Sequence, residues 1–161
     1  MNRATGEGKV DYDFGYFWSP GLSPWEKQYF PPAGTMGIIR LYNFDVGSAV
    51  VKHGHVVGLT WLGLPLLQQS VRENNDLISI IGVHSNTGDR KFNFELAKAR
   101  AASVAGMLVD HGIPQERMDV IGGHTLDRDS KGEAERWRAV SVLFTAMVRP
   151  FGYNDKDKVC N

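Results

Sequence analysis

Asn93 and Arg100 are the residues of this 161-residue chain whose types and spacing most clearly indicate ligand recognition. They stand two helical turns apart, so on one helix their side chains project in nearly the same direction. Arginine binds a carboxylate through a planar fork of donors, and asparagine offers both a donor and an acceptor. The turn-forming run Ser85–Asp89 precedes them and places backbone N–H groups at the start of the predicted helix. The pattern predicts an anion-binding surface, with a solvated helix arginine as the alternative.

Other chemistry has weaker support in the sequence. His53 and His55 have suggestive spacing, but a zinc site needs three or four ligands. His84 and His124 both fall at the ends of predicted strands, and an enzyme that uses this pair is the minority alternative. No serine stands in a Gly-x-Ser-x-Gly turn, and no Walker-type phosphate loop is present. We expect a protein that is not an enzyme and that uses no metal and no cofactor.

Length and charge narrow the function classes further. The chain is long enough to bury a core of its own as one domain. Its 18 basic residues balance 18 acidic ones, which disfavours nucleic acid as a partner. The single cysteine, Cys160, excludes an intrachain disulfide. The longest apolar stretch, residues 56–67, falls short of the roughly 20 residues that span a bilayer, so we expect no transmembrane segment.

Hydrophobic periodicity predicts the elements that position Asn93 and Arg100. Alternation of apolar and polar residues predicts strands over residues 37–45, 77–83, 117–122 and 139–145. Between the first two, helical spacing predicts a helix that is kinked at Pro65 or begins there. A second helix is predicted to begin after Asp89 as N-cap and to end at His111–Pro114. The order βαβαββ predicts a two-layer α/β (α+β) sandwich with a four-stranded sheet.

The first 35 residues differ from the rest of the chain. They hold eight of the 17 aromatic residues and four of the seven prolines. Because disordered tails are poor in aromatic residues, we expect an ordered arm that packs against the body of the protein or against a partner. The predicted organisation is an N-terminal extension at residues 1–35, a domain at 36–149 and a polar tail at 150–161.

Three segments resemble the OmpA C-terminal-like peptidoglycan-binding family in order and spacing. They are Gly82–Gly88, Asn93–Val104 and Gly112–Arg117, within a resemblance that begins at Asn43–Ala49 and closes at Arg136–Val140. The resemblance implies a mixed sheet with helices on one face. It also implies a site for the diaminopimelate unit of the peptidoglycan stem peptide, in which Arg100 binds a carboxylate.

The sequence departs from the family in two of its signatures. Ser85 stands where the family has the aspartate that binds the ligand ammonium. A neutral hydrogen bond would replace a charge-assisted one of about twice the strength. The carboxylates Asp89, Asp127 and Asp129 are candidate substitutes. In the closing signature Trp137 and Ala139 replace an asparagine and an arginine, which leaves Arg138 as the retained cation.

The resemblance implies non-covalent binding of the peptidoglycan stem peptide, which would anchor a cell-envelope protein or assembly to the wall. The predicted ligand-binding residues are Arg100, Asn93, Ser85, Asn86, Thr87, His84 and Arg138. The predicted location is the periplasm or cell envelope, although residues 1–10 lack the pattern of a secretory signal. The alternative is a divergent scaffold that has lost wall binding and contacts an envelope or secretion-assembly protein through the aromatic arm.

Overall fold

The computed structural model describes residues 13–18, 36–84, 89–125 and 138–145. The strands are β1 (Phe14–Trp18), β2 (Met36–Leu41), β3 (Ile78–His84), β4 (Met118–Thr125) and β5 (Ala139–Thr145). The helices are α1 (His53–Gly58), α2 (Leu64–Glu73) and α3 (Arg90–Asp110), with a π-helical segment Leu59–Gly63 between α1 and α2. A short 3-10 turn, Gln115–Arg117, precedes β4.

The strands form one mixed sheet in the order β1-β2-β5-β3-β4. β3 and β4 are parallel and α3 connects them, whereas every other neighbouring pair is antiparallel. The predicted mixed sheet and its β-α-β unit are therefore confirmed. The prediction of four strands was one short, because β1 lies in the aromatic extension. Its sequence, Phe-Gly-Tyr-Phe-Trp, lacks the alternation that indicates a half-buried strand.

The first predicted strand was too long at its C-terminal end. β2 ends at Leu41 instead of Asp45. Asn43 adopts a left-handed conformation with φ of +62°, which asparagine tolerates better than most residues. The Asn43 amide donates to the Asp13 carboxylate at 3.0 Å, and the Tyr42 N–H donates to the Asp13 carbonyl at 2.7 Å. The chain therefore leaves the sheet here and enters the segment of residues 42–52, which we call the β2–α1 loop.

The helix that was predicted to be kinked at Pro65 or to begin there starts earlier. Helical structure runs without a break from His53 to Glu73 through the π-helical segment. Pro65 lies in the first turn of α2, directly after that segment. A proline lacks the N–H that would continue the regular α-helical bonding pattern, so a change of helix type at this position is expected.

α3 packs directly on the sheet. Asp89 caps it as predicted, because its Oδ1 accepts from the N–H groups of Lys91 at 3.0 Å and Phe92 at 3.2 Å. A Cβ atom on Gly82 would lie 2.0 Å from the Ala97 carbonyl oxygen. Only a glycine therefore allows the helix backbone to approach β3 this closely, and Arg100 follows one turn later on the same helix.

The main core lies between the sheet and the helices. Its fully buried side chains come from β2, β3, β5, the π-helical segment, α2 and α3, and include Ile39, Leu41, Leu59, Leu67, Ile80, Val104, Leu108, Val142 and Phe144. Tyr16 of β1 stacks on Phe144 with ring centroids 6.1 Å apart, and burial raises the pKa of its hydroxyl to about 12. Among the helices that the structure describes, none is long and apolar enough to cross a bilayer.

Candidate functional site

Arg100 lies in the middle of α3, and only 3% of it is exposed. Its Nε donates to the Ser48 carbonyl oxygen at 2.8 Å, and its Nη2 donates to the Asp45 carbonyl oxygen at 2.9 Å. The guanidinium therefore holds the β2–α1 loop through one of its edges, and these two bonds do not use Nη1. The sequence predicted a side chain on an open surface, whereas the structure places it beneath this loop.

Phe44 is a buried aromatic residue of the β2–α1 loop. Its ring is fully buried, and the Arg100 Cζ lies 5.5 Å from the ring centroid. The His55 ring stacks on Phe44 with centroids 4.4 Å apart and an interplanar angle of 30°. The aromatic face attracts the guanidinium charge, and this attraction is strongest where water is excluded. The Arg100 guanidinium therefore lies against the ring of Phe44, which is stacked in turn on His55.

Arg138 reaches the same loop from the residue before β5. Its Nε donates to the Phe44 carbonyl oxygen at 2.8 Å, and the Phe44 N–H donates to the Arg138 carbonyl oxygen at 3.1 Å. The structure therefore brings together two of the predicted site residues, Arg100 and Arg138. Arg100 belongs to the helix motif of the resemblance and Arg138 to its closing signature, and each bonds to the backbone of the residues Phe44 to Ser48.

The charges around Arg100 are unbalanced. Burial and, to a smaller extent, the nearby charge of Arg138 together lower the pKa of the Arg100 guanidinium to about 10, although the Asp45 carboxylate opposes both effects. Arg100 stays a cation at neutral pH. A cation that is desolvated and faces a second cation is stabilised by any anion that reaches it. The arrangement therefore favours binding of a carboxylate.

Asp45 and Lys52 form an ion pair at the edge of this cluster. The Lys52 Nζ lies 3.4 Å from the Asp45 Oδ1 and also donates to the Asn43 carbonyl oxygen at 3.1 Å. The Asp45 side chain is 61% exposed, although its backbone is bonded to Arg100. A carboxylate that is open to solvent thus lies beside a buried guanidinium.

His55 has a structural role under the loop. Its Nδ1 accepts from the Lys52 N–H at 3.0 Å, and its Nε2 bonds to the Tyr42 carbonyl oxygen. A neutral ring with the proton on Nε2 satisfies both bonds. Burial lowers the pKa of His55. His53 is exposed, and within residues 13–18, 36–84, 89–125 and 138–145 no group of three or more potential metal ligands occurs.

The other predicted site residues belong to the end of β3, the start of α3 and the residues between them. His84 is buried at the end of β3, and its ring meets the edge of Phe94 with centroids 6.1 Å apart. Asn93 is half-buried in the first turn of α3, where its N–H donates to the Asp89 carbonyl oxygen at 3.0 Å. The predicted residues Ser85, Asn86 and Thr87 lie outside the described residues.

Sequence reasoning missed the loop side of the site. Phe44, Asp45 and Ser48 were noticed only as part of a resembling segment, and His55 only as one half of a possible metal pair. Backbone carbonyls, which accept most of the bonds here, carry no signature in the sequence. Asn43 is the one local signal, because asparagine favours turns and tolerates the left-handed conformation that it adopts after β2.

The model of the OmpA family matches residues 62–139. Over this range the sequence is similar to the OmpA family. The match confirms the resemblance and includes Asn93, Arg100 and Arg138, but it begins after the β2–α1 loop. No curated protein matches the sequence.

Solved OmpA-like structures share the fold. The OmpA-like domain of FopA1 from Francisella tularensis subsp. tularensis SCHU S4 has a TM-score of 0.58 at 15% identity, over 83% of this chain and 81% of that one. A putative MotB-like protein from Desulfovibrio vulgaris has a TM-score of 0.54 at 20% identity, over 69% and 76%. The periplasmic domain of Helicobacter pylori MotB has a TM-score of 0.51 at 16% identity, over 78% and 89%. At these identities the likeness establishes the fold.

Proposed function

We propose that this chain binds peptidoglycan non-covalently through the diaminopimelate stem peptide and so anchors a cell-envelope protein or assembly to the wall. One observation carries the proposal. Two guanidinium groups, Arg100 and Arg138, are held at the same loop, at the positions where the OmpA resemblance has its helix motif and its closing motif. The family match over residues 62–139 supports it.

The proposed contact is a ligand carboxylate at Arg100. The loop bonds of Arg100 use Nε and Nη2, and a carboxylate would be bound by the remaining donors with Arg138 adding a favourable charge. Because only 3% of Arg100 is exposed, the ligand must approach between the protein segments that cover it. Affinity therefore depends on the position of the β2–α1 loop.

The remaining predicted residues have secondary roles in this proposal. Asn93 would orient the ligand by a hydrogen bond, and Ser85 would accept one from the ligand ammonium. The backbone of Asn86 and Thr87 would contact the ligand nearby, with His84 at the base of that segment. The domain would act in the periplasm or cell envelope, as does the similar periplasmic domain of MotB.

A second candidate function has its own support. Arg100 already has hydrogen-bond partners within the protein, and Ser85 lacks the charge of the family aspartate. A scaffold that has lost wall binding would need Arg100 only to hold the loop. Such a protein would contact an envelope or secretion-assembly protein through its aromatic extension.

Co-sedimentation with diaminopimelate-type peptidoglycan sacculi distinguishes the two functions. We expect saturable pelleting of the wild-type protein, a loss of at least tenfold in affinity for Arg100→Lys, and a gain for Ser85→Asp. Arg117→Lys is the matched control, because Arg117 also donates to backbone carbonyls but lies outside the site. A folded wild-type protein that stays in the supernatant, together with a Ser85→Asp variant that pellets, would support the scaffold instead.

A further inference from the structure

Asp45 combines three properties that no other described carboxylate of the site has. Its carbonyl oxygen lies 2.9 Å from the Arg100 Nη2, so its side chain begins a few bonds from the guanidinium. That side chain is 61% exposed and is therefore open to a ligand. Its charge acts on both Arg100 and His55. A solvent-facing anion thus lies next to a cation that is short of anionic partners.

We infer that Asp45 binds the ammonium group of the ligand, in place of the aspartate that Ser85 replaces. The inference rests on the proposed function and adds an ammonium-binding group to the same site. Diaminopimelate carries an ammonium and a carboxylate on one carbon, so its recognition needs an anion and a cation a short distance apart. Arg100 and Asp45 provide that pair on two adjacent elements, α3 and the β2–α1 loop.

Lys52 does not prevent this role. Its contact with Asp45 is an exposed ion pair, a kind of interaction that contributes little because water and salt screen it. Lys52 also donates to the Asn43 carbonyl oxygen, so it keeps a partner when a ligand ammonium takes its place. A ligand ammonium that is partly desolvated beside Arg100 would form the stronger bond with Asp45.

Asp89 is a poorer substitute for the family aspartate. Its Oδ1 already accepts two N–H bonds at the start of α3, and those bonds hold the end of the helix. The two other carboxylates that the sequence offered, Asp127 and Asp129, lie outside the described residues. Within the described part of the chain, Asp45 is therefore the carboxylate whose place fits this role.

The test compares two probes in calorimetry: free meso-diaminopimelate, and pimelate, which has the same carbon chain and carboxylates but no amino groups. We expect Asp45→Asn to weaken binding of diaminopimelate about tenfold and to leave binding of pimelate unchanged, because a charge-assisted bond becomes a neutral one. Asp45→Glu keeps the charge and should keep the preference for diaminopimelate. Glu116→Gln, which removes an exposed carboxylate elsewhere, is the control.

The outcomes separate this inference from the proposed function. Equal losses for both probes in Asp45→Asn would mean that Asp45 only shapes the loop, and equal affinities of wild type and variant would mean that it makes no contact. Either result overturns the inference while wild-type binding upholds the proposed function. A wild-type protein that binds neither probe nor sacculi overturns both. Thermal melts of each variant confirm that the β2–α1 loop still folds.

Discussion

Arg117 and Arg100 use the same chemistry in two regions of this protein. Arg117 donates from Nη1 to the Val71 carbonyl oxygen at 2.9 Å and from Nη2 to the Asn74 carbonyl oxygen at 2.6 Å. These acceptors belong to the last turn of α2 and the residue after it. Carbonyl groups at the end of a helix lack partners and carry the negative end of the helix dipole. The positive charge of Arg117 is thus balanced by the negative end of the α2 dipole, at the carbonyl groups to which it donates.

The surroundings of Arg100 do not match its charge in this way. Its acceptors, the carbonyl groups of Asp45 and Ser48, lie in a loop and not at a helix end. Arg138 adds a second positive charge nearby, and burial lowers the pKa of Arg100. A guanidinium bonded to carbonyls is structural where a helix dipole balances its charge. It becomes a candidate binding group where a second cation faces it.

The contact between Gly82 and Ala97, which places Arg100 under its loop, should give the largest effect. Gly82→Ala puts a Cβ against the Ala97 carbonyl oxygen, so α3 must shift, and we expect a loss of stability of about 3 kcal/mol or more. Gly106→Ala is the control on the same helix, because a Cβ there meets nothing within 4 Å. It should stabilise the protein by up to about 1 kcal/mol. Urea unfolding measures both, and a tolerated Gly82→Ala would contradict the close approach.

Replacement of Arg117 should cause the larger loss of stability, whereas replacement of Arg100 should cause the larger loss of binding. We expect Arg117→Met to lower stability by about 2 kcal/mol, because it removes the two hydrogen bonds that Arg117 donates to carbonyls at the end of α2. Arg100→Met should lower it by about 1 kcal/mol, since the loss of two bonds is partly offset by removal of a buried cation beside Arg138. Only Arg100→Met should abolish binding to sacculi. Equal stability losses with equal binding would remove the distinction between the two regions.

His55 should make the stability of the loop region depend on pH. Because burial lowers its pKa below the usual value near 6.5, the unfolded chain binds a proton more readily than the folded protein does. The stability that the neutral His55 contributes is therefore complete above about pH 6.5. It falls as the pH drops below this value, at most by about 1.4 kcal/mol per pH unit. The charged groups that act on His55 are Asp13, Lys52 and Asp45.

Thermal melts at pH 7.5 and 5.5 measure this slope. His55→Gln should flatten it, whereas His111→Gln, which changes a histidine at the exposed end of α3, should not. The same slope in wild type and His55→Gln would show that another group is responsible.

The smallest effect should come from the strand that the extension adds to the sheet. The Tyr16 hydroxyl is buried and has no hydrogen-bond partner among the residues that the structure describes. Tyr16→Phe keeps the stacking on Phe144 and removes the unpaired group, so we expect stability to rise by about 0.5–1 kcal/mol. A loss of stability in urea unfolding would mean that the hydroxyl is bonded in solution.

The sequence predicted the elements whose patterns are local. The cap at Asp89, the end of α3 before Gly112 and the strand Ala139–Thr145 follow from capping and alternation, and all are confirmed. β1 escaped prediction because its pairing with β2 is set by distant contacts. The π-helical segment escaped because it has no periodic signature of its own.

The site could be predicted only in part for a similar reason. Motif spacing identified Arg100 and Arg138, but their acceptors are backbone carbonyls of the residues Phe44 to Ser48, which any residue type supplies. The burial of Arg100 depends on where the β2–α1 loop folds. The role inferred for Asp45 depends on the same loop, so neither was accessible from the spacing of residues along α3.

The most direct test of the central claim observes both arginines at once during ligand addition. NMR spectra of the arginine Nε–H groups, assigned through Arg100→Lys and Arg117→Lys, would be recorded as meso-diaminopimelate is titrated into the protein. The account predicts a saturable shift of the Arg100 signal and no change at Arg117. Identical behaviour of the two signals, or no shift at Arg100 at saturating ligand, would contradict the claim that Arg100 binds the ligand carboxylate.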